Sequence, residues 1–193
     1  TPGITATLLS SGLDSGVIAC ASHKFFNQID CICDPVYEFK DVLKERIQIH
    51  GSKLTTHTGG DSSEKIDMFN KIISDSSILE CAEVEPLINI HKKYMKRKKM
   101  KILLIGAGGD EIYNDHQNQR SGLILGRSNG KWPECLEIIW PWYNHSNKLR
   151  RSVSRFDFVC GYFGVEARNP LLDVNLVQAW LNTTSDLKNS GYK

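Results

Sequence analysis

The sequence predicts an α/β fold: a doubly wound parallel sheet with helices on both faces. Short apolar strands alternate with segments of helical spacing, and one strand, Lys101 to Ile105, is the continuous apolar run typical of a buried parallel sheet. The chain has 193 residues, of which 40% are hydrophobic. That is long enough for one buried core and too short for several, so we expect a single domain over residues 1–193.

The first half of the chain alternates strands with helices. The predicted strands are Ile4 to Leu9, Ile29 to Cys33 and Leu54 to His57. The predicted helical segments are Gly16 to Phe26, a segment marked by Phe39, Val42, Leu43 and Ile47 that ends near Gly51, and one marked by Ile66, Phe69, Ile72 and Ile73. Each strand is followed by small or polar residues, as expected for the loop that connects a parallel strand to its crossover helix.

The second half continues the alternation less regularly. A helical stripe from Val84 to Met95 ends in basic residues, which suit the negative end of a helix dipole. The strand Lys101 to Ile105 follows it. Residues 114–147 lack periodicity. Beyond them we expect a buried helix over Val153 to Phe163, a turn over Gly164 to Asp173 and a last helix over Val174 to Leu181.

Composition excludes several classes of protein. Lys and Arg number 24 against 22 Asp and Glu, and the resulting net charge of +2 does not by itself indicate a nucleic-acid-binding surface. No apolar run is long enough for a membrane span, and the first residues do not resemble a signal peptide. The six cysteines form no C-x-x-C pair and are expected to be buried, reduced thiols. We therefore expect a soluble, cytoplasmic protein, and the initial Thr1 indicates part of a longer chain.

Small and hydroxyl-bearing residues follow the first strand, in a segment that we call the serine loop (residues 10–15). Its sequence is Ser10-Ser11-Gly12-Leu13-Asp14-Ser15. In an open parallel sheet the ligand crevice lies beyond the carboxyl ends of the strands, where this loop would sit. Small side chains let backbone N–H groups approach a phosphate, the hydroxyls add donors, and the next helix directs its positive end at the anion. The loop is a candidate phosphate-binding site.

Asp14 is the acid in this loop. A carboxylate would repel a phosphate unless a divalent cation lay between them, so Asp14 is either a Mg²⁺ ligand or a helix N-cap. The loop lacks the Gly-Lys-Ser/Thr ending of a Walker phosphate loop, which disfavours an enzyme that transfers the γ-phosphate.

Three motifs together resemble one family. The serine loop resembles the S-G-G-x-D-S pyrophosphate loop (PP-loop) of the ATP pyrophosphatase superfamily, with Ser11 at a position usually held by glycine. GAGGDEIY, from Gly106 to Tyr113, resembles the G-E-G-x-D-E segment of asparagine synthetases, and GVEARNPLLD, from Gly164 to Asp173, resembles their G-[LV]-E-x-R-x-P segment. The chain is thus similar to the synthetase domain of the asparagine synthetase family over nearly its whole length.

The resemblance implies an adenine nucleotide alpha-hydrolase-like fold and an ATP-dependent carbon-nitrogen ligase that releases AMP and pyrophosphate. A small-molecule carboxylate would be adenylated and then attacked by an amine or ammonia; a glutaminase domain or subunit is a candidate partner. Mg²⁺ would be held by Asp14 and Asp110, and the pair Glu166 and Arg168 would join each other or the loops. The residues implied to bind ATP are Leu8, Ser10, Ser11, Gly12, Asp14, Ser15 and Gly106.

The chain departs from the family at the acyl-transfer step. Asparagine synthetases have glutamate at the position of Ala107, and related β-lactam synthetases have tyrosine. Alanine has no group that accepts a proton, so another residue must deprotonate the attacking amine; Asp157 is the nearest candidate by motif position, and Tyr113 is a weaker one. The family's downstream lysine on the pyrophosphate and its amino-terminal glutaminase domain lie outside this sequence. Because Ala107 replaces the family's glutamate, we expect a diverged synthetase whose substrate can differ from aspartate.

Two alternatives remain open at this point. One is a catalytically degenerate relative that binds nucleotide or acts as a scaffold after losing the acyl-transfer machinery. The other is a tRNA-modifying or NAD synthetase-like member of the same superfamily, which would leave the two later motifs unexplained.

Overall fold

The structure is a computed structural model that describes residues 4–26, 29–33, 38–50, 54–56, 70, 100–109, 112 and 148–189. Its strands are β1 (Ile4–Leu8), β2 (Asp30–Cys33), β3 (Leu54–Thr56), β4 (Met100–Leu104) and β5 (Glu166–Arg168). Its helices are α1 (Leu13–His23), α2 (Lys40–His50), α3 (Lys148–Tyr162), α4 (Val174–Leu181) and α5 (Ser185–Asn189), with a 3₁₀ turn at Pro170–Leu172.

The five strands form one sheet in the order β3-β2-β1-β4-β5, and every neighbouring pair is parallel. The predicted parallel α/β sheet is therefore confirmed. The order runs outward from β1 to β3 on one side and then continues from β4 on the other side. The loops that follow β1 and β4 consequently leave the same edge of the sheet from adjacent strands.

Side chains in the centre of the sheet are buried on both faces. Ala6, Ile32 and Leu103 have no exposed surface, as expected for parallel strands with continuous apolar runs. Thr7 is the polar exception, and it is also fully buried. Its Oγ1 donates to the carbonyl of Leu104 at 3.5 Å and lies 3.3 Å from that of Leu8, so the buried hydroxyl has acceptors within the sheet.

Helices α1 and α2 pack where the helical spacing predicts them, with α1 beginning three residues earlier than expected. One apolar cluster joins α1, α2 and β2, together with the end of β1. Its members are Leu9, Ala19, Cys31, Cys33 and Leu43, with Ile47 packed against them. The spacing of Leu43 and Ile47 places both side chains on one face of α2.

Strand β5 corrects the sequence prediction, which made Gly164 to Asp173 a turn. Glu166–Arg168 is too short and too polar to show a strand pattern of its own. It becomes a strand because it pairs with β4, and the N–H of Ile105 extends the ladder by donating to the carbonyl of Arg168 at 2.9 Å.

Helix α3 was predicted as buried. Within its described side chains Val159 and Cys160 are buried, whereas Asp157 is exposed.

The chain divides into two compact units, residues 1–106 with 154–170, and residues 107–153 with 171–193. The first unit contains the sheet. In the second, α4 has the predicted bounds, and Asp173 caps it by accepting the N–H groups of Asn175 and Leu176 at 2.9 and 3.2 Å. Helix α5 was not predicted.

Other predictions fall partly or wholly outside the described residues. The helices predicted around Ile66 to Ile73 and Val84 to Met95 lie there, apart from a single residue.

None of the helices in the described part of the chain combines the length and the apolar composition needed to span a bilayer. Of the described cysteines, Cys31, Cys33 and Cys160 are buried and form no disulfide, as predicted, but Cys20 is exposed.

Candidate functional site

The serine loop closes on itself through its two outer serines. Ser10 Oγ and Ser15 Oγ lie 2.6 Å apart, and the N–H of Ser10 donates to Ser15 Oγ at 3.0 Å. The N–H of Gly12 donates to Ser10 Oγ at 3.1 Å. These contacts bring three of the residues that resemble a pyrophosphate loop into one cluster, directly after β1. Leu8 is the last residue of that strand.

The serine loop leads into the amino-terminal end of α1. Gly12 is the N-cap, with φ −67° and ψ 155°, and the first backbone bond of the helix runs from Gly16 N–H to Gly12 O at 3.3 Å. The alternative that Asp14 is the N-cap is therefore wrong, because Asp14 lies inside the first turn. An acid there is favoured by the positive end of the helix dipole. The same dipole would favour a bound anion beside the loop.

Gly106, which follows β4, lies against the start of α1 at this point. A Cβ added at Gly106 would lie 2.8 Å from the backbone N of Ser15, 2.9 Å from the carbonyl carbon of Asp14 and 3.1 Å from Asp14 Cβ. Only a residue without a side chain fits at such a separation. The structure thus brings together Gly106, Asp14 and Ser15, three of the residues that the resemblance implies to bind ATP.

Two residues that the sequence analysis missed hold the serine loop from the α2 side. Both the N–H and the Oγ of Ser11 donate to Oε2 of Glu38. Arg46 Nη1 donates to the carbonyl of Ser10 at 2.5 Å and to that of Gly12 at 2.6 Å. These partners lie 27 to 36 residues further along the chain, so no local sequence pattern could have revealed them.

Glycine at position 16 makes room for the Arg46 side chain. A Cβ added at Gly16 would lie 2.6 Å from the Cζ of Arg46, so a larger residue there would displace the guanidinium. The guanidinium of Arg46 brings a positive charge to the loop. This charge also favours an anion at the serine loop.

The structure describes only one of the remaining predicted site residues. Asp157 lies on the exposed side of α3, and the loss of some solvent contact there raises the pKa of its carboxyl. Asp110 and Tyr113 lie outside the described residues. Among the residues that are described, no group of three or more His, Cys, Asp or Glu side chains could hold a metal ion. The magnesium site at Asp14 and Asp110 therefore stays a prediction.

The Glu166 and Arg168 side chains pair with each other, one of the two arrangements expected for them. Arg168 Nε donates to Glu166 Oε1 at 2.8 Å, and Nη2 donates to Oε2 at 3.2 Å. The hydrogen bonds from Arg168 lower the pKa of the exposed Glu166 carboxyl. A two-point contact of this kind fixes the planes of both groups on β5.

No family model and no curated protein matches this chain. The likeness to asparagine synthetases therefore rests on the three sequence motifs.

Proposed function

We propose that this chain is the ATP-binding domain of a carboxylate-activating ligase similar to asparagine synthetases, with a doubly wound sheet of the adenine nucleotide alpha-hydrolase type. The observation that carries the proposal is the close approach of Gly106 to Asp14 and Ser15. It joins the loops that follow β1 and β4, which are adjacent strands at the point where the strand order reverses. Ligands of open α/β sheets bind in the crevice at that point.

The groups around the serine loop fit a magnesium-bound triphosphate. Backbone N–H groups, serine hydroxyls and the α1 dipole suit phosphate oxygens, and Asp14 supplies the hard oxygen ligand that Mg²⁺ prefers. Asp110 would be the second carboxylate. Magnesium would neutralise charge on the phosphate chain and so favour departure of pyrophosphate.

The proposed reaction has two steps. A substrate carboxylate attacks the α-phosphate of ATP and pyrophosphate leaves; an amine or ammonia then attacks the acyl-adenylate, forming an amide and releasing AMP. Arg46 holds the loop carbonyls on the α2 side, and the serine loop holds the phosphates. Asp157 is proposed to take the proton from the attacking nitrogen, with Tyr113 as the weaker candidate. A cytoplasmic location is part of the same proposal.

The test is release of AMP and pyrophosphate from ATP, measured with a panel of carboxylates and amines. Asp14→Asn should lower turnover about a hundredfold or more, since it removes a metal-binding charge. Asp41→Asn is the matched control, because Asp41 is also the first-turn acid of an 11-residue helix, and it should leave turnover unchanged. Turnover that survives Asp14→Asn contradicts the assignment of Asp14.

Ala107 supports a second candidate, a nucleotide-binding or scaffold domain without turnover. Its partly exposed methyl group provides no acid or base where the resembled enzymes carry one. ATP binding that depends on Asp14, with no AMP formed from any substrate pair, would favour this candidate over the ligase.

A further inference from the structure

The Glu38 carboxylate occupies donors that the proposed function assigns to phosphate. Glu38 precedes α2 by two residues, is half-buried, and accepts both the backbone N–H and the hydroxyl of Ser11 through Oε2. Ser11 thereby binds an anionic oxygen with the same two groups that a phosphate oxygen would use. The protein supplies its own anion to the serine loop.

The Glu38 carboxylate and a bound phosphate cannot both accept the two hydrogen bonds that Ser11 donates. A phosphate that binds the Ser11 N–H and Oγ must first displace the Glu38 carboxylate. The displaced carboxylate stays close to the serine loop, because the backbone of Glu38 is held two residues before α2. Like charges held close together repel, so the displaced carboxylate disfavours an unneutralised phosphate chain. Arg46 is not displaced in this exchange, since it binds the carbonyls of Ser10 and Gly12 and no N–H group.

Magnesium lowers the repulsion between the displaced Glu38 carboxylate and the phosphate chain. A phosphate chain that carries Mg²⁺ has less net negative charge, so it meets less repulsion from the displaced carboxylate. The cost of breaking the contact with Ser11 is the same for both forms of the ligand. The Glu38 charge therefore discriminates between magnesium-bound and free phosphate chains.

We propose that Glu38 is a specificity-determining residue of the nucleotide site, one that selects magnesium-bound over free phosphate chains by competing for Ser11 and by remaining beside the loop. This inference rests on the proposed function. It also accounts for serine at position 11 in place of the usual glycine of the resembled motif, because the hydroxyl gives Glu38 a second donor.

The experiment measures binding of inorganic pyrophosphate to the whole chain by titration calorimetry, with and without Mg²⁺. Glu38→Gln keeps the shape and an acceptor oxygen but removes the charge. We expect it to tighten binding of metal-free pyrophosphate about tenfold, equivalent to about 1.4 kcal/mol, and to tighten binding of the magnesium complex less. Glu45→Gln is the matched control on the exposed side of α2 and should change either affinity by no more than about twofold, since solvent screens its charge.

A second variant tests the contact itself. Ser11→Ala removes the hydroxyl that donates to Glu38, and its effect should be non-additive with that of Glu38→Gln, because both substitutions change the same hydroxyl–carboxylate hydrogen bond. Equal tightening with and without Mg²⁺, unchanged affinity, or weaker affinity in Glu38→Gln would overturn the inference. Absence of pyrophosphate binding in every variant, wild type included, would instead overturn the proposed function.

Discussion

The contact between Gly106 and α1 gives a sharp test of the site, through the substitution Gly106→Ala. The new Cβ would lie 2.8 Å from Ser15 N and 2.9 Å from the carbonyl carbon of Asp14, whereas ordinary van der Waals contact begins at 3.4 Å. Both neighbours are backbone atoms, so the clash cannot be relieved by turning a side chain. The backbone at Gly106 and the first turn of α1 must move apart, and overpacking of this kind costs about 1–3 kcal/mol.

The assay pairs urea unfolding with ATP binding. Gly106→Ala should lower the free energy of unfolding by that amount and weaken ATP binding, because the two loops of the proposed site no longer keep their separation. Gly161→Ala is the control. Its added Cβ has no atom within 4 Å, and it lies in α3, where alanine is favoured over glycine by up to about 1 kcal/mol. Unfolding of Gly106→Ala at the wild-type urea concentration would refute the close approach of the two loops.

Two further predictions concern the cap of α4 and the thiols. Asp173→Ala should lower the free energy of unfolding by about 1 kcal/mol, because the helix loses its N-cap. Asp173→Asn should lower it much less, because the asparagine oxygen still accepts hydrogen bonds from the N–H groups at the helix start. Equal urea midpoints for the two variants would contradict the cap. In alkylation at pH 8 followed by peptide mass spectrometry, exposed Cys20 should react in the folded protein. Burial, aided by the Asp157 charge, raises the pKa of Cys160 to about 12, so it should react only after unfolding.

Much of the fold could be predicted, because the spacing of apolar residues along the chain distinguishes strands from helices. The bounds of β1, β2, β4 and α4 agree with the predicted ones to within one residue at each end. β5 could not be predicted, since three polar or small residues become a strand only through the ladder that β4 provides. The N-cap of α1 also differed, because the choice between Gly12 and Asp14 depends on backbone angles that composition does not specify.

The candidate site was predictable only in part for the same reason. Short-range chemistry in the sequence identified the serine loop, and its internal hydrogen bonds join residues two to five apart. Glu38 and Arg46 gave no signal, because a lone acid before a helical segment and a lone base within it look like ordinary surface residues in the sequence.

The sequence by itself determined the alternation of strands and helices and the placing of small, hydroxyl-bearing and glycine-rich segments after β1 and β4, since these depend on neighbours along the chain. Only the tertiary structure decided that these segments meet, with Gly106 against Ser15, and that Glu38, just before α2, and Arg46, within α2, bind the first of them. Those contacts join residues far apart in sequence. They exist because parallel pairing of adjacent strands brings their carboxyl ends to one edge of the sheet.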